Sequence, residues 1–322
     1  MIRKLAAALG LCAAFAAPAA AQEVVHLGNL KFAHYGAVSY MKDHCKKMGL
    51  DVQEIVFPKG IDIFPALVKG EVDIAASAAD AAIANRAGGG AIYVVAGFAK
   101  GGARLVAAAD QPLAKVADLK GKKVGVARGG AQELLLLAEL AKAGLAWSDQ
   151  PGKDVQLVYL PFADLNQALM QKQIDAMCQS EPQSSQAINK GFGKEMLKPY
   201  DTPIGEPVRV LVMTEKMYRE RPALAQKVLD CFVESTKAFL SDRKLAERYV
   251  VDQMFRGQIT AQDYDDAMGN AAFTYDVTLD HIQVTTDLMV KYGVGKMASP
   301  PKASDWVKLD LLANAKAKAG VK

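Results

Sequence analysis

Residues that build metal centres and nucleophilic active sites are scarce in this sequence. Its 322 residues include four cysteines and four histidines, and none of them is paired at the spacing of a metal site. The serine-hydrolase pattern GxSxG and the metalloprotease pattern HExxH are both absent. We therefore predict no catalytic residue, no metal and no cofactor.

A strong excess of one charge and long apolar runs are also missing. Lysine and arginine number 39, and aspartate and glutamate number 35, a near balance that argues against nucleic acid as a partner. Beyond the N-terminal stretch, no run approaches the roughly 18 uninterrupted apolar residues of a membrane-spanning helix. We therefore expect a globular protein after that stretch.

The N-terminal stretch has the order of a cleavable secretory signal. Basic residues at positions 3 and 4 precede an apolar segment, which ends in alanines at 19–21, and this predicts a signal peptide at residues 1–21. The remaining ~300 residues exceed the usual size of one hydrophobic core, so two domains are expected. Cys45, Cys178 and Cys231 remain, and we expect buried apolar side chains, with a disulfide left open.

A strand–helix–strand pattern occurs twice in the chain. The segments FPKGIDIFPALVKGEVDIAAS at 57–77 and LPFADLNQALMQKQIDAMCQS at 160–180 share a strand ending at proline, a short helix and an aspartate before the next strand, Asp73 or Asp175. Such units form parallel sheets that bind ligands at the carboxyl ends of their strands. The repeat predicts two similar α/β lobes that face each other across a cleft.

The remaining segments suggest how the lobes are joined. Glycines and prolines are frequent at 191–207, which is typical of a connection between lobes. A strand is predicted at 208–213, and the tail from residue 313 is predicted to be a solvated end. Helices are predicted at 222–240, 241–255, 260–272 and 279–292.

The clearest single signal for a binding site is the segment Arg128-Gly129-Gly130-Ala131-Gln132, which follows a strand and opens a helix. Unpaired backbone N–H groups at a helix start favour an anionic guest, and the glycines would allow its close approach. The alternative is that the glycines only make a tight turn. The spacing of nucleotide-binding loops is absent.

Four segments, in this order, resemble the nitrate, sulfonate and taurine-type substrate-binding proteins of ABC importers, and also the NMT1/THI5-like proteins. They are FPKGIDIFPALVKGEVDIA, DLKGKKVGVARGGAQELLLLAELAKAGL, LPFADLNQALMQKQIDAMCQSEP and RVLVMTEKMYRERP. The resemblance implies a type II periplasmic binding protein, with two α/β lobes joined by two crossover segments and a helical C-terminal extension. Lobe 1 would comprise residues 22–109 and 208–322, and lobe 2 residues 110–207.

The sequence departs from the family pattern at two places. Ser180 stands before Glu181-Pro182, where a bulky aromatic is common, and the first helix lacks the usual Gly-Phe-Phe run. With these departures in mind, the predicted ligand-binding residues are Phe32, His34, Lys59, Gly60, Ser77, Ala78, Arg128, Gly129, Gly130, Gln132 and Glu181.

The predicted roles of these residues differ. Ser77 would donate a hydrogen bond and Lys59 would add positive charge. His34 would donate to an anion or bind a heteroaromatic nitrogen, the alternative being a histidine that caps the core. Glu181 would repel an anion unless it is paired with a basic residue, and it could instead bind a cationic part of the guest.

The resemblance implies a function in solute uptake. The chain would be the periplasmic solute-binding component of an ABC importer, a monomer that captures a small organic ligand, acidic and aromatic or sulfonate-like, and delivers it to a permease in the inner membrane. One alternative is a THI5-like pyrimidine-precursor enzyme on the same fold, against which the export signal argues. The other is a receptor that presents its ligand to a membrane sensor.

Overall fold

A computed structural model describes residues 22–321 of the chain, so the predicted signal peptide lies outside the described residues. Twelve strands are found in this part of the chain. They are β1 (Glu23–Leu30), β2 (Leu50–Phe57), β3 (Ile74–Ala78), β4 (Ile92–Gly101), β5 (Ala103–Ala108), β6 (Lys122–Val126), β7 (Trp147–Ser148), β8 (Val155–Tyr159), β9 (Ala176–Ser180), β10 (Gly193–Leu197), β11 (Val208–Thr214) and β12 (Ala271–Phe273).

Helices connect and cover these strands. They are α1 (Gly36–Ser39), α2 (Met41–His44), α3 (Gly60–Lys69), α4 (Ala79–Ala87), α5 (Ala131–Lys142), α6 (Phe162–Met170), α7 (Gln183–Asn189), α8 (Glu215–Glu220), α9 (Pro222–Ser241), α10 (Arg243–Arg248), α11 (Ala261–Met268), α12 (Leu279–Tyr292), α13 (Ala303–Trp306) and α14 (Asp310–Ala319). A π-helical segment, Tyr249–Met254, continues α10. Within residues 22–321, no helix is both long and apolar enough to span a bilayer.

The strands form two six-stranded sheets of related design. Their orders are β12-β4-β11-β3-β1-β2 and β10-β5-β9-β6-β8-β7. In the first sheet, β1 pairs in parallel with β2 and β3, while β11 runs antiparallel between β3 and β4. In the second, β6 pairs in parallel with β8 and β9, and β5 runs antiparallel to β9. The predicted mixed α/β fold with two sheets is confirmed.

The two aspartates shared by the sequence repeat have equivalent roles. Asp73 accepts a hydrogen bond from the backbone N–H of His26 at 2.8 Å and donates its own N–H to the carbonyl of the same residue at 2.9 Å. Asp175 makes the same pair of contacts with Lys123, each at 2.8 Å. Each aspartate therefore fixes the start of a strand, β3 or β9, against the neighbouring interior strand of its sheet, β1 or β6.

The chain passes between the sheets twice. After β4, Gly101 and Gly102 have φ values of 74° and 77°, a left-handed conformation that favours glycine, and β5 then pairs with β9 and β10 in the second sheet. The return lies between β10 and β11. The sequence-based boundary at 109/110 assigned β5 to lobe 1. Because β5 hydrogen-bonds within the second sheet, we propose that lobe 2 begins after Gly101-Gly102 and ends before β11.

Two predictions for the C-terminal part were wrong. The tail from residue 313 is not a solvated end, because α14 packs on α9 and buries Ala315, and Lys237 donates to the Ala319 carbonyl at 2.7 Å. The helix predicted at 260–272 ends at Met268, and residues 271–273 instead form β12 on the edge of β4. Both segments therefore complete lobe 1.

The structure also answers the question left open for the cysteines. Cys45, which follows α2, forms a disulfide with Cys231 of α9; their Cα atoms are 5.6 Å apart and they lie 186 residues apart in sequence. Cys178 is free and buried in β9. The disulfide thus ties the N-terminal and C-terminal parts of lobe 1 together.

Candidate ligand-binding site

A small cavity of about 20 Å³ lies between the carboxyl ends of the parallel strands of the two sheets. Residues of both lobes line it, as ligand binding between parallel sheets requires. Eight of the eleven predicted residues are in its wall, namely Phe32, Lys59, Gly60, Ala78, Arg128, Gly129, Gly130 and Gln132. His34, Ser77 and Glu181 are not part of the wall.

The loop between β6 and α5 forms the lobe 2 side of the cavity mouth. Gly129 has φ of 73°, and its N–H donates to the carboxylate of Glu133 in the next helical turn at 2.7 Å. A Cβ on Gly129 would lie 3.2 Å from Ile61 of the facing lobe, and one on Gly130 would lie 3.3 Å from Phe162. Gly129 is favoured by its positive φ and by the nearby facing lobe, whereas Gly130 leaves room for Phe162 of its own lobe. One of the backbone donors of the loop is already used.

The Arg128 side chain lies at the rim rather than at the centre of the cavity. Its guanidinium stacks over the Tyr159 ring, 3.6 Å from the centroid, and reaches the Asp149 carboxylate at 3.2 Å. The side chain is 55% exposed. Arg128 thus contributes charge to the mouth, and a solvent-exposed partner already offsets part of it.

The loops of lobe 1 form the opposite side. Lys59 is the N-cap residue of α3, and Gly60 is its first residue. A Cβ at Gly60 would lie 2.8 Å from Ser77 Oγ, so Ser77 stands directly behind this glycine. Ser77 is fully buried, whereas its neighbour Ala78 lies in the wall. The backbone alternation of β3 therefore turns the serine away from the cavity.

His34 also lies behind the wall. It is fully buried, both ring nitrogens lack a hydrogen-bond partner among residues 22–321, and its ring stacks on Phe32 with centroids 5.8 Å apart. Burial, and secondarily the positive charge of Arg209, lowers its pKa well below the usual value, so the imidazole is neutral. A Cβ on Gly102 would come within 2.7 Å of the ring, which places His34 against the first crossover.

Glu181 follows β9 and contacts the first crossover, where its N–H donates to the Gly102 carbonyl at 3.3 Å, and it is not part of the cavity wall. Its carboxylate pairs with Arg104 at 2.6 Å and accepts hydrogen bonds from Ser185 Oγ at 2.7 Å and from the Asn270 side chain at 2.9 Å. These contacts satisfy a fully buried charge and join lobe 2 to the loop before β12. The expected pairing with a basic residue is therefore present, and the predicted contact with a cationic part of the guest is not supported by this position.

Arg209 is the main site residue that the sequence did not reveal. It lies in the antiparallel strand β11, forms part of the cavity wall, and is 2% exposed. Its Nη1 atom has no hydrogen-bond partner among the described residues. A charged residue within the apolar run VRVLVMT was the available signal, because a buried strand rarely carries an arginine without a specific partner.

Two further residues face Arg209. Tyr35 lies beside it in the wall, and burial raises the pKa of the phenol above its usual value, so the hydroxyl remains a donor. Asp80, in the first turn of α4, is buried, and burial raises its pKa to about 7. Arg209 opposes that shift, whereas Glu133 of the facing lobe adds to it.

Aromatic rings of both lobes meet inside the cavity. Phe32 follows β1 and Phe162 begins α6, and their rings contact edge to face with centroids 5.1 Å apart and planes at 81°. Tyr35 packs on Phe32 at 5.5 Å. The sequence predicted Phe32 as a ligand contact and missed Phe162, which lies next to the shared proline of the second repeat.

Comparison with known proteins identifies related chains. The sequence profile described as the NMT1-like family matches residues 19–255. A putative aliphatic sulfonates-binding protein of Escherichia coli is 31% identical over 192 residues, which are 59% of this chain and 58% of that protein. The chain thus aligns with less than two thirds of that relative's length.

Solved structures share the fold. A ligand-binding component of an ABC-type import system from Staphylococcus aureus has a TM-score of 0.78 at 18% identity, covering 91% of this chain and 99% of that one. The alkanesulfonate-binding protein SsuA from Xanthomonas axonopodis, bound to MOPS, has a TM-score of 0.75 at 18% identity, covering 90% and 100%. At this identity the likeness concerns the fold.

Proposed function

The chain belongs to the NMT1-like family, and we propose that it is the solute-binding component of an ABC importer. Its two lobes close on a small organic anion in the cavity, and the closed complex delivers that anion to an inner-membrane permease. Sulfonate-binding relatives and neighbours with a periplasmic binding fold support this proposal.

The observation that carries the proposal is the position of Arg209. A buried guanidinium with an unsatisfied N–H is costly unless a partner accepts from it. The cavity wall includes three basic residues, Lys59, Arg128 and Arg209, and among the described residues it contains no carboxylate and no histidine or cysteine. An acidic ligand would satisfy Arg209.

The wall composition also explains why binding would drive closure. Phe32 and Gly60 come from lobe 1, whereas Gly130 and Phe162 come from lobe 2. A ligand between them gains its full contact only when the lobes are together. Differential affinity of this kind shifts the equilibrium toward the closed state.

Other features agree with export. The predicted signal peptide would direct the chain to the periplasm, and the disulfide between Cys45 and Cys231 suits an oxidising compartment.

The test is a thermal-shift screen followed by calorimetry on the mature protein. Sulfonates, aromatic carboxylates, pyrimidines and inorganic oxyanions form the panel, and a ligand at 100 times its Kd adds about 2.7 kcal/mol of stability. The double substitution Arg128→Ala/Gly130→Val should weaken binding of the best solute at least about tenfold, or ~1.4 kcal/mol. Arg243→Ala, at an exposed ion pair with Asp265, is the control. Unchanged affinity in the double variant would exclude the cavity as the binding site.

A further inference from the structure

We propose that the cavity is built for an aromatic monoacid, with the acid group on Arg209 and the ring between Phe32 and Phe162. This proposal rests on the proposed function and names the class of solute. It assigns a role to Tyr35, and also to Arg209 and Phe162, which the sequence patterns did not indicate.

The first step concerns the acid group. Arg209 is the one guanidinium held deep in the cavity, since it is 2% exposed whereas the Arg128 side chain is 55% exposed and already paired with Asp149. The free Nη1 of Arg209 and the adjacent phenol of Tyr35 provide charged and neutral donors on the same side. A carboxylate or sulfonate accepts from both kinds of donor.

The second step concerns the charge of the guest. Asp80 and Glu133 are both buried close to the Arg209 side of the cavity without lining it. The negative charge of Glu133, joined by that of Asp80 where the pH is high enough to ionise it, opposes a second negative charge on the ligand. The inner part of the cavity therefore suits one acid group better than a dicarboxylate.

The third step concerns the body of the guest. Phe32 and Phe162 belong to different lobes and contact each other edge to face, with ring centroids 5.1 Å apart. A guest ring would replace this contact: it enters while the lobes are apart and touches both phenylalanines when the lobes close. Beside them, the wall consists of small residues, Gly60, Ala78 and Ala81. Small residues leave a shallow, smooth surface, and a planar ring can lie against it while it contacts the phenylalanine rings.

The test compares matched solutes by calorimetry with the mature protein. Benzoate and benzenesulfonate carry a ring and an acid, cyclohexanecarboxylate and propane-1-sulfonate lack the aromatic ring, benzyl alcohol lacks the charge, and phthalate carries a second acid. We expect the aromatic monoacids to bind roughly tenfold more tightly than their aliphatic counterparts, the gain of an aromatic contact. Benzyl alcohol should not bind measurably, and phthalate should bind more weakly than benzoate.

The variants separate the two contacts. Arg209→Gln should weaken benzoate binding by roughly 100-fold, as expected for loss of a buried charged partner, and Arg209→Lys should restore part of it. Phe162→Leu should weaken benzoate roughly fivefold to tenfold and leave cyclohexanecarboxylate nearly unchanged. Arg243→Gln, at the exposed pair with Asp265, should change neither. Circular dichroism of each variant shows whether it is folded. If Arg209→Gln does not fold, the benzoate affinities of Arg209→Lys and Phe162→Leu test the two contacts.

The outcomes distinguish this inference from the proposed function. An aliphatic sulfonate or an inorganic oxyanion that binds as tightly as benzoate, or benzoate binding that is indifferent to both Arg209→Lys and Phe162→Leu, would overturn the aromatic-acid assignment and leave solute binding intact. Failure of the whole panel to bind would overturn both.

Discussion

Removing the Asp80 carboxylate should make the protein more stable, and increasingly so as the pH rises. Asp80 is 2% exposed, and burial raises its pKa from the ordinary 3.8 to about 7. The folded state therefore holds this proton at pH values where the unfolded chain has released it. By linkage, the stability that the protonated group contributes is complete below about pH 4 and is lost as the pH rises through about 7.

The magnitude follows from the width of that window. Between pH 5 and pH 7 the native carboxyl remains largely protonated while the unfolded one is ionised. Within that window each pH unit lowers the unfolding free energy by about 1.4 kcal/mol. The wild-type protein should therefore lose about 2.5 kcal/mol of unfolding free energy between pH 5 and pH 8 through this group. Asp80→Asn has no proton to release, and it retains the shape of the side chain.

Urea unfolding of wild type and Asp80→Asn at pH 5, 6, 7 and 8 measures this effect. The difference in unfolding free energy between the two proteins should grow in favour of the variant by about 2.5 kcal/mol across that range, because other titrating groups cancel in the comparison. Asp252→Asn, at an exposed position, should show no such growth. A difference between wild type and Asp80→Asn that stays constant with pH would refute the assignment of a buried, protonated carboxyl.

Two further predictions concern stability. Cys231→Ser should lower the unfolding free energy by about 2–5 kcal/mol, measured by urea titration without reductant. Dithiothreitol should lower the urea midpoint of the wild type and of Cys178→Ser by the same amount. A wild-type midpoint that dithiothreitol does not change would contradict the disulfide. Gly102→Ala should lower the melting temperature more than Gly144→Ala does. Both glycines have positive φ, but only a Cβ at position 102 would clash with the His34 ring. Equal decreases in melting temperature would show that the His34 ring can move aside at no cost.

Local patterns predicted the scaffold well for physical reasons. The repeat at 57–77 and 160–180 was visible because each βαβ unit needs a strand end, an amphipathic helix and an apolar strand in close succession. The shared aspartates, Asp73 and Asp175, make the same hydrogen bonds to the neighbouring parallel strand. The glycine-containing loop before α5 could be predicted for the same reason, because it depends only on residues that are adjacent in sequence.

The direction of individual side chains could not be predicted in the same way. Ser180 lies in the cavity wall, while Glu181 beside it turns toward Arg104, and Ala78 lies in the wall while Ser77 turns behind it. Neighbouring residues of a strand point to opposite faces, so an error of one position moves a residue from the site to its support.

Arg209 was missed because its significance depends on the order of strands. A single arginine in a short strand is usually an exposed residue at a sheet edge. Only the placement of β11 between β3 and β4 buries it, and that placement pairs residues more than 100 positions apart in sequence, such as Arg209 and Ala78. The tail was misjudged for a similar reason, because α14 is stabilised by packing on α9 rather than by its own composition.

Small-angle X-ray scattering of the mature protein, with and without the best-bound solute, tests the central claim most directly. If the lobes close on a ligand held between Arg209 and the two phenylalanine rings, saturating solute should reduce the radius of gyration, and Arg209→Lys should require more solute for the same change. A radius of gyration that stays the same when calorimetry shows the site to be full would contradict capture by closure.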